Sequence, residues 1–240
     1  MQKNLIKVII FDLDDTLYPE RDFVKSGFRK VAEYIEKKFK IKKKEFFKTL
    51  IDVLNEEERG HIFDTALKKY DLYNKNLVDK LVEVYRFHKP NIKLYPGTKN
   101  LLNSLKKKYK LALITDGLGY VQQNKVKALT VENLFDSIIY TDNCDKEKFK
   151  PNPYTFKKAL AHFNLSSREA IYIGDDPHKD FIGAKKLGIR TVRVLQGRYK
   201  DIRKEKEFEA DCNINKLGEI KNLLKKNFVR TFLLFLIDLL

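Results

Sequence analysis

Three carboxylates, Asp12, Asp14 and Asp15, and the hydroxyl of Thr16 follow directly on the apolar run Val8-Ile9-Ile10-Phe11. Acids set this close repel one another unless a cation gathers them, so the cluster costs stability unless it has a use. Alternate side chains of an extended segment share a face, which turns Asp12 and Asp14 to the same side with Thr16 two residues further on. Three more polar groups stand downstream: Thr115-Asp116-Gly117, Lys150 in Lys-Pro-Asn-Pro, and Gly174-Asp175-Asp176-Pro177-His178-Lys179-Asp180. Such a set offers a nucleophile, a proton donor and a positive charge, the parts from which covalent and acid-base catalysis are built.

The elements that must position these groups can be read from the pattern around them. Val8 to Phe11 have the β-branched and aromatic character of a central parallel strand buried on both faces. Leu111 to Ile114, Ser137 to Thr141, Ala170 to Ile173 and Thr191 to Val194 read as four further strands. Helices about Thr98–Lys108, Tyr120–Leu129 and Tyr154–Phe163, with a short one reaching Leu187, fall between them. Such alternation predicts an α/β fold with a doubly wound parallel sheet, and ligands collect at the carboxyl ends of its strands.

Between Thr16 and Pro90 the strand pattern stops. Phe23, Phe28, Val31, Ile35 and Phe39, then Phe46, Leu50 and Leu54, then Ile62, Phe63 and Leu67, then Leu77, Leu81 and Val84 recur at helical spacing. They predict about four amphipathic helices in an insert, with breaks at Gly60 and at Asp71 to Asn74. The domain reading is therefore a discontinuous α/β core over residues 1–17 and 91–227, a small helical domain over 18–90, and an apolar segment over 228–240.

Composition sets limits. A hydrophobic fraction of 43% in 240 residues supports a large core without covalent staples. Cys144 and Cys212 show no metal or disulfide spacing, and no apolar leader precedes the first strand, so a cytoplasmic protein is expected. The charge of +16 and pI of about 9.6 invite a nucleic-acid partner. The lysines are scattered among acids rather than gathered in a stripe, so nucleic acid is disfavoured against a solvated surface that attracts a small anion. Phe228 to Leu240 is nearly all apolar but too short for a membrane span, which takes about 20 residues. Packing against the core or a neighbouring subunit is the first reading, interfacial membrane attachment the second, in a monomer or homodimer.

The D-x-D-x-T after an apolar strand, the strand-ending Thr115, the Lys150-Pro151 ahead of a helix and the G-D-D-x-x-x-D occur in the order that resembles the haloacid dehalogenase superfamily. The resemblance covers nearly all of the chain, and the insert after the first motif is similar to the helical cap of one branch. It implies a Mg²⁺-dependent phosphatase acting on a small phosphate ester such as a sugar phosphate, a phosphorylated acid or a nucleotide monophosphate. Asp12 would be the nucleophile that becomes aspartyl-phosphate, and Asp14 the acid and base. Thr16 would fix their geometry. Thr115, Asp116, Gly117 and Lys150 would hold the phosphoryl group, and Asp12, the Asp14 carbonyl and Asp175 would bind the metal. Asp176 and Asp180 would stand one remove from it, and His178 would be an exposed residue in a helix's first turn. The Asp of Thr-Asp-Gly departs from the Asn found in many relatives and adds a charge near phosphate. A phosphomutase of the same fold is the runner-up, and a non-catalytic basic binding or interaction protein the alternative from another class.

Overall fold

The computed structural model describes residues 6–56, 60–143 and 146–225. The expectations for Cys144 and for the apolar segment 228–240 lie outside them. The described chain divides into two compact units, one running to Pro19 and resuming at Leu94, the other Glu20–Lys93.

The first unit is built on β1 (Val8–Phe11), whose four side chains are all wholly buried. It pairs in parallel with β2 (Lys110–Thr115) on one side and β4 (Ala170–Gly174) on the other. Beyond these lie β3 (Ser137–Tyr140), β5 (Arg190–Val194) and β6 (Cys212–Ile214), giving the order β3-β2-β1-β4-β5-β6, parallel throughout. The order reverses between β1 and β4, where a doubly wound sheet opens its crevice. Burial on both faces is why β1 and β4 read as unbroken apolar runs.

Helices α5 (Thr98–Lys106), α6 (Gly119–Ala128), α7 (Tyr154–Phe163), α8 (Ile182–Lys186) and α9 (Ile220–Lys225) connect and follow the strands. On one face Val8, Ile10, Ala112, Ile114 and Tyr172 pack against Phe156 and Ala159 of α7 and Phe181 and Ala184 by α8. Each large apolar side chain buried there contributes roughly 1.5–3 kcal/mol. The strand β6 escapes the sequence pattern because it is three residues long and its middle residue, Asn213, is exposed.

The second unit holds α1 (Glu20–Phe39), α2 (Lys43–Glu56), α3 (Ile62–Lys68) and α4 (Lys75–Phe87). Glu20 and Asp22 open α1 and Lys37 and Lys38 close it, charges that complement the helix dipole. Asn74 caps α4 by accepting from the N–H groups of Asn76 and Leu77. Phe28, Val31 and Ile35 of α1, Phe46 and Leu50 of α2, Leu67 of α3 and Leu81 of α4 make one core. Gly27 allows α1 and α4 to approach, since a Cβ there would lie 2.4 Å from the Tyr85 ring. This unit runs to Lys93, and near that end the Asn91 N–H donates to Ser26 Oγ at 2.8 Å and Ile92 is buried. No described helix is long and apolar enough to cross a membrane.

Candidate active site

The groups singled out by residue type converge at the carboxyl ends of β1, β2 and β4. The Asp12 N–H donates to the Ile173 carbonyl at 2.9 Å, prolonging the β1–β4 ladder by one residue and fixing where the carboxylate leaves the sheet. Carboxylate oxygens of Asp12, Asp175 and Asp180 lie within 4.8 Å of one another, all three residues buried. Lys150 reaches into this cluster from the loop ahead of α7, its side chain without solvent exposure. Its ammonium donates to Asp12 Oδ1 at 2.5 Å, to Asp180 Oδ1 at 2.7 Å and to the Tyr172 hydroxyl at 3.0 Å. An ammonium has three protons, and all three are thereby used.

Asp180 lies within the carboxylate cluster beside Asp12 and Asp175. Its Oδ1 accepts from Lys150 and, at 3.0 Å, from Tyr172, and its Oδ2 accepts from the N–H groups of Asp175 and Asp176 at 3.1 and 3.0 Å. Four donors occupy the carboxylate, which makes it the clamp of the loop after β4. Gly174 is the condition for that clamp, because a Cβ there would meet Asp180 Oδ2 at 2.4 Å. Asp12 and Asp175 are less engaged: among the described residues, Asp175 accepts the Thr16 hydroxyl at 3.2 Å and Asp12 the Lys150 ammonium.

These environments set the charges. Burial pushes the Asp12 carboxyl up to about 7, with the charge of Asp180 adding to the effect against the pull of Lys150. Burial, then the charges of Asp180 and Asp12, hold Asp175 well above the ordinary range. Burial would raise Asp180 too, but the Lys150 and Lys179 ammoniums and its hydrogen bonds bring it below its usual value. Two buried carboxyls that resist ionisation, facing each other and offering only oxygen, fit a hard divalent cation, which would supply the positive charge they lack.

Asp14 occupies a second pole. Lys125 of α6 grips its two oxygens at 2.8 and 2.9 Å, Gln122 donates to Oδ2 at 2.9 Å, and the Tyr18 hydroxyl donates to Oδ1. Burial acts to raise this carboxyl, but the Lys125 charge and these hydrogen bonds hold it below the usual range. Gln122 also donates to Thr115 Oγ1 at 2.7 Å, tying the end of β2 to the same network. Asp116 stands 3.9 Å from the Lys150 ammonium and 3.8 Å from that of Lys179, and Gly117 takes a left-handed φ of 123° two residues before α6. His178 lies in the turn ahead of α8 rather than in a helix, 2.7 Å from Asp176 Oδ1 through Nδ1 and edge-on to the Tyr199 ring. The buried Arg193 of β5 donates to the Asp175 carbonyl at 3.1 Å and to Glu209, holding the β4 loop from behind.

Gln122, Lys125 and Arg193 are neighbours of the candidate site outside the motifs singled out by residue type, and Tyr172 and Lys179 join it from a strand and a motif in which they had no role of their own. Gln122 and Lys125 are three apart on a helix and so share a face, a spacing that marks them as a pair without saying what they meet.

Residues 9–194 match the family described as haloacid dehalogenase-like hydrolase. The chain belongs to that family. Among curated relatives, this hydrolase is 34% identical over 229 residues to a glyceraldehyde 3-phosphate phosphatase from Methanocaldococcus jannaschii, covering 92% of this chain and 98% of that one. A HAD phosphatase from Thermococcus onnurineus is similar in structure, with a TM-score of 0.60 at 26% identity, covering 91% of this chain and 98% of the other. YfnB from Bacillus subtilis, in a crystal form bound to magnesium, shares the fold with a TM-score of 0.65 at 19% identity, covering 91% and 98%.

Proposed function

We propose that this haloacid dehalogenase-like hydrolase is a Mg²⁺-dependent phosphatase of small phosphorylated metabolites that works through an aspartyl-phosphate on Asp12. The observation that carries the reading is the burial of Asp12 at the end of β1, between the Lys150 ammonium and the Asp175 carboxyl. A nucleophilic carboxylate needs its charge lowered enough to approach a phosphate dianion, and it needs a fixed direction of attack. Lys150 gives the first and the β1–β4 ladder the second.

Asp12 and Asp175, with the Asp14 carbonyl, are the groups that would hold Mg²⁺; when bound, the ion would offset their charge and that of the phosphoryl oxygens. Asp12 Oδ attacks phosphorus, the bond from phosphorus to the ester oxygen breaks, and Asp14 gives that oxygen a proton. Asp14 then takes a proton from water as the water oxygen attacks phosphorus, the bond to Asp12 breaks, and inorganic phosphate leaves. Lys125 keeps Asp14 ionised in the resting site, the form the second step needs. A dianionic substrate brought alongside offsets the Lys125 charge and favours the protonated form that the first step needs.

The 34% identical relative bears the name glyceraldehyde 3-phosphate phosphatase, so a three-carbon phosphorylated aldehyde heads the substrate panel. The test is phosphate release from that compound, sugar phosphates, phosphorylated acids and nucleotide monophosphates, with and without Mg²⁺. Release that needs Mg²⁺ and leaves an acid-stable, hydroxylamine-sensitive phosphoenzyme is expected. No release and no transfer to a second substrate from any compound would sink the proposal.

A further inference from the structure

Lys150 is the cation that the resemblance assigns to the phosphoryl group, yet its three protons are all bound to Asp12, Asp180 and Tyr172. In this arrangement all three are turned to the nucleophile and its neighbours. Lys179 differs. It leaves the same loop as Asp175 and Asp180, and its side chain is a third exposed. Its ammonium sits 3.8 Å from Asp116 Oδ2, an ion pair longer than a hydrogen bond. The same Asp116 oxygen lies 3.9 Å from the Lys150 ammonium, so Lys150 and Lys179 flank one carboxylate at the end of β2.

Charge balance points the same way. Asp12, Asp116, Asp175 and Asp180 gather here against Lys150 and Lys179, so carboxylates outnumber ammoniums and each cation counts toward holding an anion. Without Lys179 the added acid Asp116 would leave the site negative and repel a phosphate dianion.

We infer that Lys179 is a second cation, beside Lys150, that donates hydrogen bonds to the phosphoryl oxygens of substrate and product, and that Asp116 holds it ready at the edge of the site. This rests on the phosphatase reading above. Because Lys179 would contact the phosphoryl group before and after transfer, its loss should act on binding more than on the chemical step.

The experiment uses the full chain with Mg²⁺ and inorganic phosphate as probe, read both as product inhibition and as the phosphate-induced rise in melting temperature. Lys179→Gln should raise the inhibition constant for phosphate and the substrate KM about tenfold or more, the usual worth of a charge-assisted hydrogen bond, with kcat changed far less. Lys179→Arg should restore most of the affinity. Lys157→Gln, which removes the same charge from the exposed face of α7, should change neither constant. The decisive comparison places Lys179→Gln in an Asp116→Asn background. A phosphate-binding lysine still costs about tenfold there, whereas a lysine that serves only to pair Asp116 costs nothing. Phosphate affinity in the double variant equal to that of Asp116→Asn would overturn the inference. A parent protein that hydrolyses no ester refutes the phosphatase reading instead, and the melting shift with phosphate then still reports on Lys179.

Discussion

The two units of the chain bury different things. In the α/β unit Asp12, Asp175, Asp176, Asp180, Lys125, Lys150 and Arg193 are buried among the strand ends. Among the described residues of the helical unit, the buried polar side chains are Ser26 and His88, and its charges pair on the surface, as in Lys30–Glu33, Lys75–Asp79 and Lys80–Glu83. Burying a charge is costly unless it is paired and hydrogen-bonded, and deleting one partner of a buried pair typically costs about 3–5 kcal/mol against about 0–1 for an exposed pair. The α/β unit therefore holds a buried charged network at its strand ends, while the interior of the helical unit is filled chiefly by apolar side chains. That contrast separates residues whose loss should change rate from residues whose loss should change stability.

The sharpest break is at Asp12. Asp12→Asn should abolish turnover and the phosphoenzyme, because an amide oxygen is too weak a nucleophile, while leaving a folded protein: Lys150 keeps Asp180 and Tyr172. Asp14→Asn should lower kcat by roughly 10²–10⁴, the range of a general acid-base group. The deficit should be smaller for p-nitrophenyl phosphate, whose leaving group departs without a proton. Equal deficits on aryl and alkyl esters would assign the proton to another group.

The reverse break lies in the helical core. Phe46 is wholly buried in the cluster with Phe28, Ile35 and Leu81. Phe46→Ala should cost about 3–5 kcal/mol in urea unfolding through lost transfer energy and an unfilled cavity. A loss under about 1 kcal/mol would mean that this core collapses around the gap or contributes less than its burial implies.

Acid and metal sharpen the contrast further. An Asp whose folded value is raised to about 7 from 3.8 keeps its proton in the folded state and gives it up in the unfolded one between those values. Asp12 therefore lowers the stability of the metal-free protein as pH climbs from about 4 to 7, and the penalty is absent below that window. Thermal melts in chelator should show the parent falling relative to Asp12→Asn across the window, with Mg²⁺ removing the difference. Parallel curves for the two proteins would mean that Asp12 is ionised without metal.

Much of this was legible in residue order, for reasons that differ by position. The acids after β1 and β4 stand out because strands buried on both faces read as apolar runs, so a carboxylate marks where each run ends. Lys150 is marked by the prolines beside it. Lys125 and Gln122 meet Asp14 across 111 and 108 positions of chain, and α6 lacks a clean amphipathic pattern. Nothing local distinguishes a lysine that grips a buried carboxylate from one in water. Asp180 stands out as part of its motif, but its place in the carboxylate cluster depends on Gly174 letting it fold back over the loop, a tertiary fact. The tie from Asn91 to Ser26 spans 65 positions, so the local pattern around Pro90 does not register it.

The smallest effect belongs to the surface pairs, and Glu33 is the most demanding case because two cations share it. Lys30 Nζ lies at 2.8 Å within α1, and Lys43 Nζ at 2.6 Å from the start of α2, so the carboxylate joins the two helices. Hydrogen bonds from Lys30 and Lys43 push it down to about 2 from 4.5. A carboxyl lowered on folding contributes its full stability above the unfolded value, here above about pH 4.5, and loses it as pH falls toward about 2. A third of the Glu33 side chain is exposed, as are larger fractions of both lysines, so solvent screens the attraction. Glu33→Gln should then cost no more than about 1 kcal/mol at pH 7, less in high salt, and progressively less as pH falls from about 4.5 toward 2. A loss of the size expected for Phe46→Ala would mean that the helical unit leans on charge after all, and the division of labour between the two units would not hold.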